Sequence, residues 1–197
     1  MFAATVLAAG ASTRMGSPKA LLDYHGRTFL QSILEAISEL GCQCFVALGH
    51  DSDKVLARHD LQNVAVVRNE RLEAGPIESI RASIRAMGEQ PADALLVWPV
   101  DFPHVRVETV AALIDRFGAN DAPAIVVPEY AGVAGHPVIF GRAVFKELLE
   151  TPDAGGARTV VRHDPVRVAR VRVEDPAVVD FVNTPESYRD MLERTRR

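Results

Sequence analysis

Apolar positions along the chain follow two alternating rhythms. Short, nearly continuous apolar runs occupy residues 5–9, 44–48, 64–67, 94–100 and 124–127. Runs of this kind fill strands that are buried on both faces. Between them, apolar residues recur at helical spacing. Phe29, Leu30, Ile33, Leu34, Ile37 and Leu40 share one face. Thr28 with Gln31 fits a capping box before that helix, and Gly41 fits its stop. Residues 53–59 predict a short helix. Ile77, Ile80, Ile84 and Met87 line another that ends at Gly88, and residues 107–117 form one more.

Beyond residue 127 the pattern loosens. Residues 137–140 predict a strand, 143–149 a helix, and 154–163 a further helix. Residues 166–173 alternate, but Val166 and Val168 share one face while Val171 and Val173 share the other, which predicts a bulge near Ala169. Residues 178–182 predict a last short strand. Thr184 then caps a final helix with Pro185 at its first position. Alternation of strand and helix implies a three-layer α/β fold around a mostly parallel sheet. We read residues 1–197 as one domain, with about 128–175 as a substrate-side extension.

Composition narrows the class. The chain has 197 residues, and Lys+Arg 22 against Asp+Glu 26 leaves a net charge of −4. That balance argues against nucleic acid as a partner. The longest apolar run, residues 94–100, is far below the ~18 residues of a membrane span, so no membrane association is expected. Residues 2–9 mimic a signal-peptide core but lack a basic leader, so the cytoplasm is the expected compartment. Cys42 and Cys44 are too few for a cysteine zinc site, and as strand neighbours at i and i+2 they are poorly placed to bridge.

In an open α/β sheet, ligands bind where strands end. Three polar clusters sit at predicted strand ends. The first runs from Leu7, Ala8 and Ala9 through Gly10, Ser12, Arg14, Met15 and Gly16 to Lys19. Its small residues let the backbone approach a phosphate, and Arg14 and Lys19 bring positive charge to both ends. Spacing excludes a Walker A loop, and Ser12 breaks the dinucleotide fingerprint. An ordinary surface turn is the bland alternative. The second cluster, Pro99-Val100-Asp101-Phe102-Pro103, puts a carboxylate after the most apolar strand. It suits a Mg²⁺ ligand or, more simply, a helix cap. The third is Asn183-Thr184-Pro185-Glu186, in which Asn183 has no evident structural duty.

Together with Gly75-x-x-x-Ser79-Ile80 and Gly135-His136-Pro137-Val138, these motifs resemble, in order and spacing, the nucleotidyltransferases that act on the molybdenum cofactor, the MobA-like NTP transferases. The resemblance covers nearly the whole chain and implies a Rossmann-like nucleotidyltransferase fold. Ala8-Ala9-Gly10 and Gly135-His136-Pro137 are similar to the cytidylyltransferase branch, whereas Asn183-Thr184-Pro185 is closer to the guanylyltransferase pattern.

The implied reaction is Mg²⁺-dependent transfer of CMP from CTP to molybdopterin, with pyrophosphate released and a molybdoenzyme as the eventual partner. GTP, or another phosphorylated acceptor such as a sugar phosphate, is the alternative within enzymes. A non-catalytic nucleotide-binding chaperone is the rival class. The resemblance assigns Arg14, Lys19 and Asp101 to catalysis. It assigns Leu7, Ala8, Ala9, Gly10, Ser12, Arg14, Gly16, Lys19, Gly75, Ser79 and Asp101 to the nucleotide, His136 and Pro137 to the acceptor, and Asp101 and Asn183 to the metal. Five arginines between residues 158 and 172 read either as a cationic rim for the acceptor phosphate or as a protected sheet edge.

Overall fold

The computed structural model describes residues 2–89, 92–119 and 121–196. In chain order its elements are β1 (Phe2–Ala8), β2 (Asp23–Tyr24), β3 (Arg27–Thr28), α1 (Phe29–Glu39), β4 (Gln43–Leu48), α2 (Ser52–Arg58), β5 (Ala65–Arg68), α3 (Pro76–Ala86), β6 (Ala94–Pro99), α4 (Val107–Phe117), β7 (Ile125–Tyr130), β8 (Val133–Ala134), β9 (Val138–Gly141), α5 (Phe145–Glu150), α6 (Ala157–His163), β10 (Val168–Arg172) and α7 (Pro185–Arg194). The main sheet runs β10-β7-β9-β6-β1-β4-β5, with β8 paired to β7. β1, β4, β5 and β6 pair in parallel, as do β7 and β10; β9 is antiparallel to both its neighbours.

Three layers follow from the side-chain alternation of β6. Leu96 and Trp98 join the core formed with Phe29, Leu30 and Ile33 of α1, Val110 and Leu113 of α4, and Met191 of α7. Leu95 and Val97 join the opposite core with Ile77, Ile80 and Ile84 of α3, Phe145 and Leu148 of α5, and Val160 of α6. A strand covered on both faces has no polar side to alternate, which is why its sequence reads as one apolar run. Residues 128–175 supply β8, β9, α5, α6 and β10, so this stretch is woven into the sheet and one helical layer.

Three local expectations change. No bulge interrupts β10, which pairs in unbroken register with Ile125–Glu129. The slipped phase has another origin. Asp164 accepts a hydrogen bond from the Val166 N–H and opens a 3₁₀ turn over Pro165–Arg167, so Val166 precedes the strand and is almost fully exposed. Residues 178–182 are not a strand. Pro176–Val178 is a 3₁₀ turn, and the chain beyond it makes its backbone bonds singly: Val178 O accepts from His136 N at 2.8 Å, and Val182 N donates to Asp101 O at 2.9 Å. The capping box of α1 is half formed. The Thr28 hydroxyl accepts from Gln31 N, but the Gln31 side chain turns to Glu35.

Candidate active site

The site is assembled at the carboxyl ends of β1 and β6. Leu7 O accepts from Val100 N at 3.1 Å, which ties the two strand ends together. After β1 the chain leaves the sheet in an open loop. Ser12 organises it: its backbone takes φ 47°, its carbonyl accepts from Met15 N, and its hydroxyl accepts from Lys19 N at 3.0 Å. Gly16 has φ 68°, a conformation that suits glycine, and a Cβ at either Gly16 or Gly10 would point into open space. Arg14 is exposed and makes no hydrogen bond or ion pair among the described residues. The loop is therefore bare on its outer side and pinned on its inner side by Ser12.

That pinning delivers Lys19, which is only 9% exposed. Its Nζ lies 2.9 Å from Asp101 Oδ1 and donates to Asn183 Oδ1, also at 2.9 Å. Each partner is held separately. Asp101 follows β6, where the buried Trp98 indole donates to Phe102 O and fixes the turn. Asn183 precedes α7, whose capping box joins Thr184 and Ser187. Its backbone N–H donates to Ser187 Oγ at 3.0 Å, leaving the side chain free to face Lys19. An ammonium has only donors, so the atom of Asn183 facing it is the amide oxygen. Two hard oxygen donors thus converge on one cationic point, the donor chemistry that Mg²⁺ or Mn²⁺ requires. Among the described residues no group of three or more His, Cys, Asp or Glu forms a conventional metal cluster. Asp101 and Asn183 therefore fit an ion that draws its other ligands from substrate and water.

The remaining predicted residues have different surroundings. Gly75 opens α3 at φ 72°, with open space where a Cβ would lie. Ser79 is fully buried behind it. Its hydroxyl accepts from Asn69 Nδ2, and the same amide donates to Gly75 O. Ser79 thus acts on the loop through Asn69. Asn69 was missed by sequence reasoning; an Asn directly after β5, where a strand end meets a loop, was the available signal. Ala8 is half-buried, and Ala9 is buried with its methyl beside Gly49, where a Cβ would come within 3.0 Å of it.

His136 and Pro137 enter β9 through a cis peptide bond. The His136 ring lies 5.0 Å from that of Phe102, the neighbour of Asp101, and its Nδ1 is buried with no hydrogen-bond partner among the described residues. Burial, reinforced by the nearby Arg158 charge, pushes its pKa down to about 4. The ring is therefore neutral at neutral pH.

The arginine cluster divides. Arg167 pairs with Glu147, and Arg170 and Arg172 lie by Glu129, so these serve the sheet edge. Arg158 is exposed and is the one whose charge reaches His136. A cleft of about 760 Å³ between α5 and α6, lined by Lys146, Glu147, Thr159 and Arg162 among others, contains none of the predicted site residues.

Fold and site define a nucleotidyltransferase of the mixed α/β type. The family model for the MobA-like NTP transferase domain matches residues 4–170, and the chain belongs to that family. It is 32% identical over 168 residues to the bifunctional protein GlmU of Sphingopyxis alaskensis, covering 81% of this chain but only 36% of that protein. The chain therefore spans about a third of that relative's length. Two relatives match end to end. Nicotine blue oxidoreductase of Paenarthrobacter nicotinovorans is 28% identical, over 95% of this chain and 94% of that one. A probable molybdenum cofactor guanylyltransferase of a Geobacillus species is 27% identical, over 96% and 97%. Among solved structures, Rv0371c of Mycobacterium tuberculosis in complex with manganese superposes with TM-score 0.77 at 30% identity, covering 98% of each chain. A nucleotidyl transferase of Methanothermobacter superposes with TM-score 0.82 at 25% identity, over 100% and 99%.

Proposed function

We propose that the protein transfers CMP from CTP to molybdopterin, releasing pyrophosphate, with Mg²⁺ held by Asp101 and Asn183. The observation that carries this reading is the convergence of Asp101 and Asn183 on the Lys19 ammonium, each at 2.9 Å, at the open end of the sheet. An oxygen of the acceptor phosphate attacks the α-phosphorus, and the bond from that phosphorus to the β-phosphate oxygen breaks. The attacking group is already anionic, so no strong general base is needed. Positioning and charge neutralisation do the chemistry.

Mg²⁺, when bound, neutralises charge on the α-phosphate and orients it. Arg14 supplies a planar cationic fork to the outer phosphates, and Lys19 a point charge to the leaving pyrophosphate. The bare backbone of residues 10–16 follows the triphosphate, and Gly75 leaves room for the nucleoside. His136, Pro137 and Arg158 face the acceptor from the 128–175 side. A neutral His136 offers an imidazole hydrogen bond without adding repulsion toward Arg158. The molybdenum-cofactor name of the Geobacillus relative and the manganese complex of the mycobacterial structure support acceptor and metal. Among the described residues no helix is long and apolar enough to cross a membrane. The expected setting is the cytoplasm, where the product passes to a molybdoenzyme.

GTP is the second reading, favoured by Asn183-Thr184-Pro185 and by the guanylyltransferase name of that relative. Pyrophosphate release with molybdopterin and each nucleotide in turn tests both. CTP is expected to drive turnover, and Asp101→Asn to lower it about 10²-fold or more with folding unchanged. Nucleotide binding with no pyrophosphate from any nucleotide would make the protein a non-catalytic binder.

A further inference from the structure

Lys19 occupies the point at which the proposed metal ligands converge. Its ammonium is nearly buried and lies 2.9 Å from Asp101 Oδ1 and 2.9 Å from Asn183 Oδ1. Among the described residues those two oxygens are its polar partners, and its backbone N–H is fixed by Ser12. An ammonium and a divalent cation cannot both sit on the same two oxygens at contact distance, because the two positive charges would repel at close range in a partly desolvated site. Arg14, on the same loop, is exposed and touches neither oxygen.

We propose that Lys19 is the resident cation of the nucleotide-free site and that it makes metal binding conditional on a triphosphate. The inference rests on the assignment of Asp101 and Asn183 to the metal. In the free protein Lys19 holds the two oxygens together and keeps a bare divalent ion out. An incoming triphosphate offers the ammonium a stronger anionic partner. Lys19 moves to the phosphates, and the metal takes the oxygens it leaves. Metal and nucleotide therefore bind with positive coupling, and Lys19 is the residue that couples them. The flexible four-carbon stem suits this exchange in a way that a rigid guanidinium fork does not.

The test is a Mn²⁺ titration of the full-length protein, reading free Mn²⁺ by electron paramagnetic resonance, with and without a non-hydrolysable CTP analogue. Wild type is expected to bind Mn²⁺ weakly alone and at least about tenfold more tightly with the analogue. That is the scale of one close ion pair discounted for the part-exposed Asp101 carboxylate. Lys19→Met is expected to bind Mn²⁺ at least about tenfold more tightly than wild type without nucleotide, and to lose most of the coupling. Arg14→Ala, which removes an equal charge from the same loop without touching the oxygens, is expected to leave nucleotide-free Mn²⁺ affinity unchanged. Equal Mn²⁺ affinity in wild type and Lys19→Met overturns the proposal, and so does an equal gain in Arg14→Ala.

Should Lys19→Met fail to fold, the wild-type protein still decides. Lys19, Lys54 and Lys146 are the lysines of the chain, and Lys54 and Lys146 are both largely exposed. Saturating Mn²⁺ alone is expected to raise reductive methylation of Lys19 relative to the other two; unchanged protection overturns the exchange. Lys19-dependent Mn²⁺ exclusion without any nucleotidyl transfer would overturn the proposed function and keep this inference. Turnover with uncoupled Mn²⁺ binding would do the reverse.

Discussion

At the scale of single residues, His136 and Gly135 carry testable consequences in adjacent positions. His136 has an ordinary pKa near 6.5 when unfolded and about 4 when folded, because burial and the Arg158 charge disfavour its cation. Below pH 6.5 the unfolded chain takes up a proton that the folded ring refuses until about pH 4. Stability is therefore expected to fall as pH is lowered through that window. Burial pushes His104 in the same direction, opposed by Asp180. Chemical denaturation at pH 7 and pH 4.5 checks this. His136→Gln is expected to remove roughly 1–3 kcal/mol of the acid-dependent loss, and a slope identical to wild type would contradict the burial of a neutral ring. Gly135 has a different constraint. An added Cβ would lie 2.1 Å from Val178 O and 2.6 Å from Val178 C, both backbone atoms. Gly135→Ala is expected to cost about 3 kcal/mol or more, since overpacking against backbone has no rotamer through which to relax. A shift in the denaturation midpoint measures it.

At the scale of elements, the entry to α7 joins stability to function. The Thr184 hydroxyl accepts from Ser187 N at 3.2 Å, and Asn183 N donates to Ser187 Oγ. Thr184→Ala is expected to lower stability by about 1 kcal/mol, as cap removals do, and to lower turnover as well, because the cap aims Asn183. Thr184→Ser is expected to restore both. Loss of stability with unaltered kinetics would mean that Asn183 is positioned without its cap. This helix start was legible from Thr184 and Pro185 alone, as was α4 over Val107–Phe117. Strong apolar period and cap chemistry are local, and local signals survive in sequence. The hairpin of β2 and β3 was not legible, because two-residue strands have no measurable period. The turn before β10 imitates a bulge in the sequence, because an exposed Val166 continues the strand alternation. Within the site, sequence could mark Lys19, Asp101 and Asn183 as chemically apt. That the first would lie between the other two, from 164 residues away in the case of Asn183, is tertiary information. Ser79 shows the converse. Its motif placed it at the nucleotide, and the fold puts Asn69 between it and Gly75.

At the scale of the whole molecule, the sheet order decides which loops meet. β1 lies between β6 and β4, so the loop after β1 is flanked on one side by Asp101 and on the other by Gly49 and the segment leading to Gly75. On the proposed reading, charge chemistry is expected on the β6 side and nucleoside fit on the β4 side. Asn183, as a proposed metal ligand on the charged side, would meet what every nucleotide shares and so is expected to have no leverage over the base. Base choice is therefore expected to follow Ala9. Its methyl packs beside Gly49, and a Cβ on Gly49 would also meet Ala9 O at 2.6 Å. Relative to glycine, a methyl at this position is expected to narrow the space that a base enters. CTP is expected to be preferred over GTP by about 10–200-fold in kcat/KM, the range that one methyl group in a pocket achieves. Ala9→Gly is expected to reduce the preference, while leaving metal dependence unchanged. Equal CTP and GTP offered together with molybdopterin and Mg²⁺, with the products separated by mass, measures the ratio directly. Dominant GMP transfer by the unaltered protein would place base choice elsewhere in the site and the protein on the guanylyl side of its family.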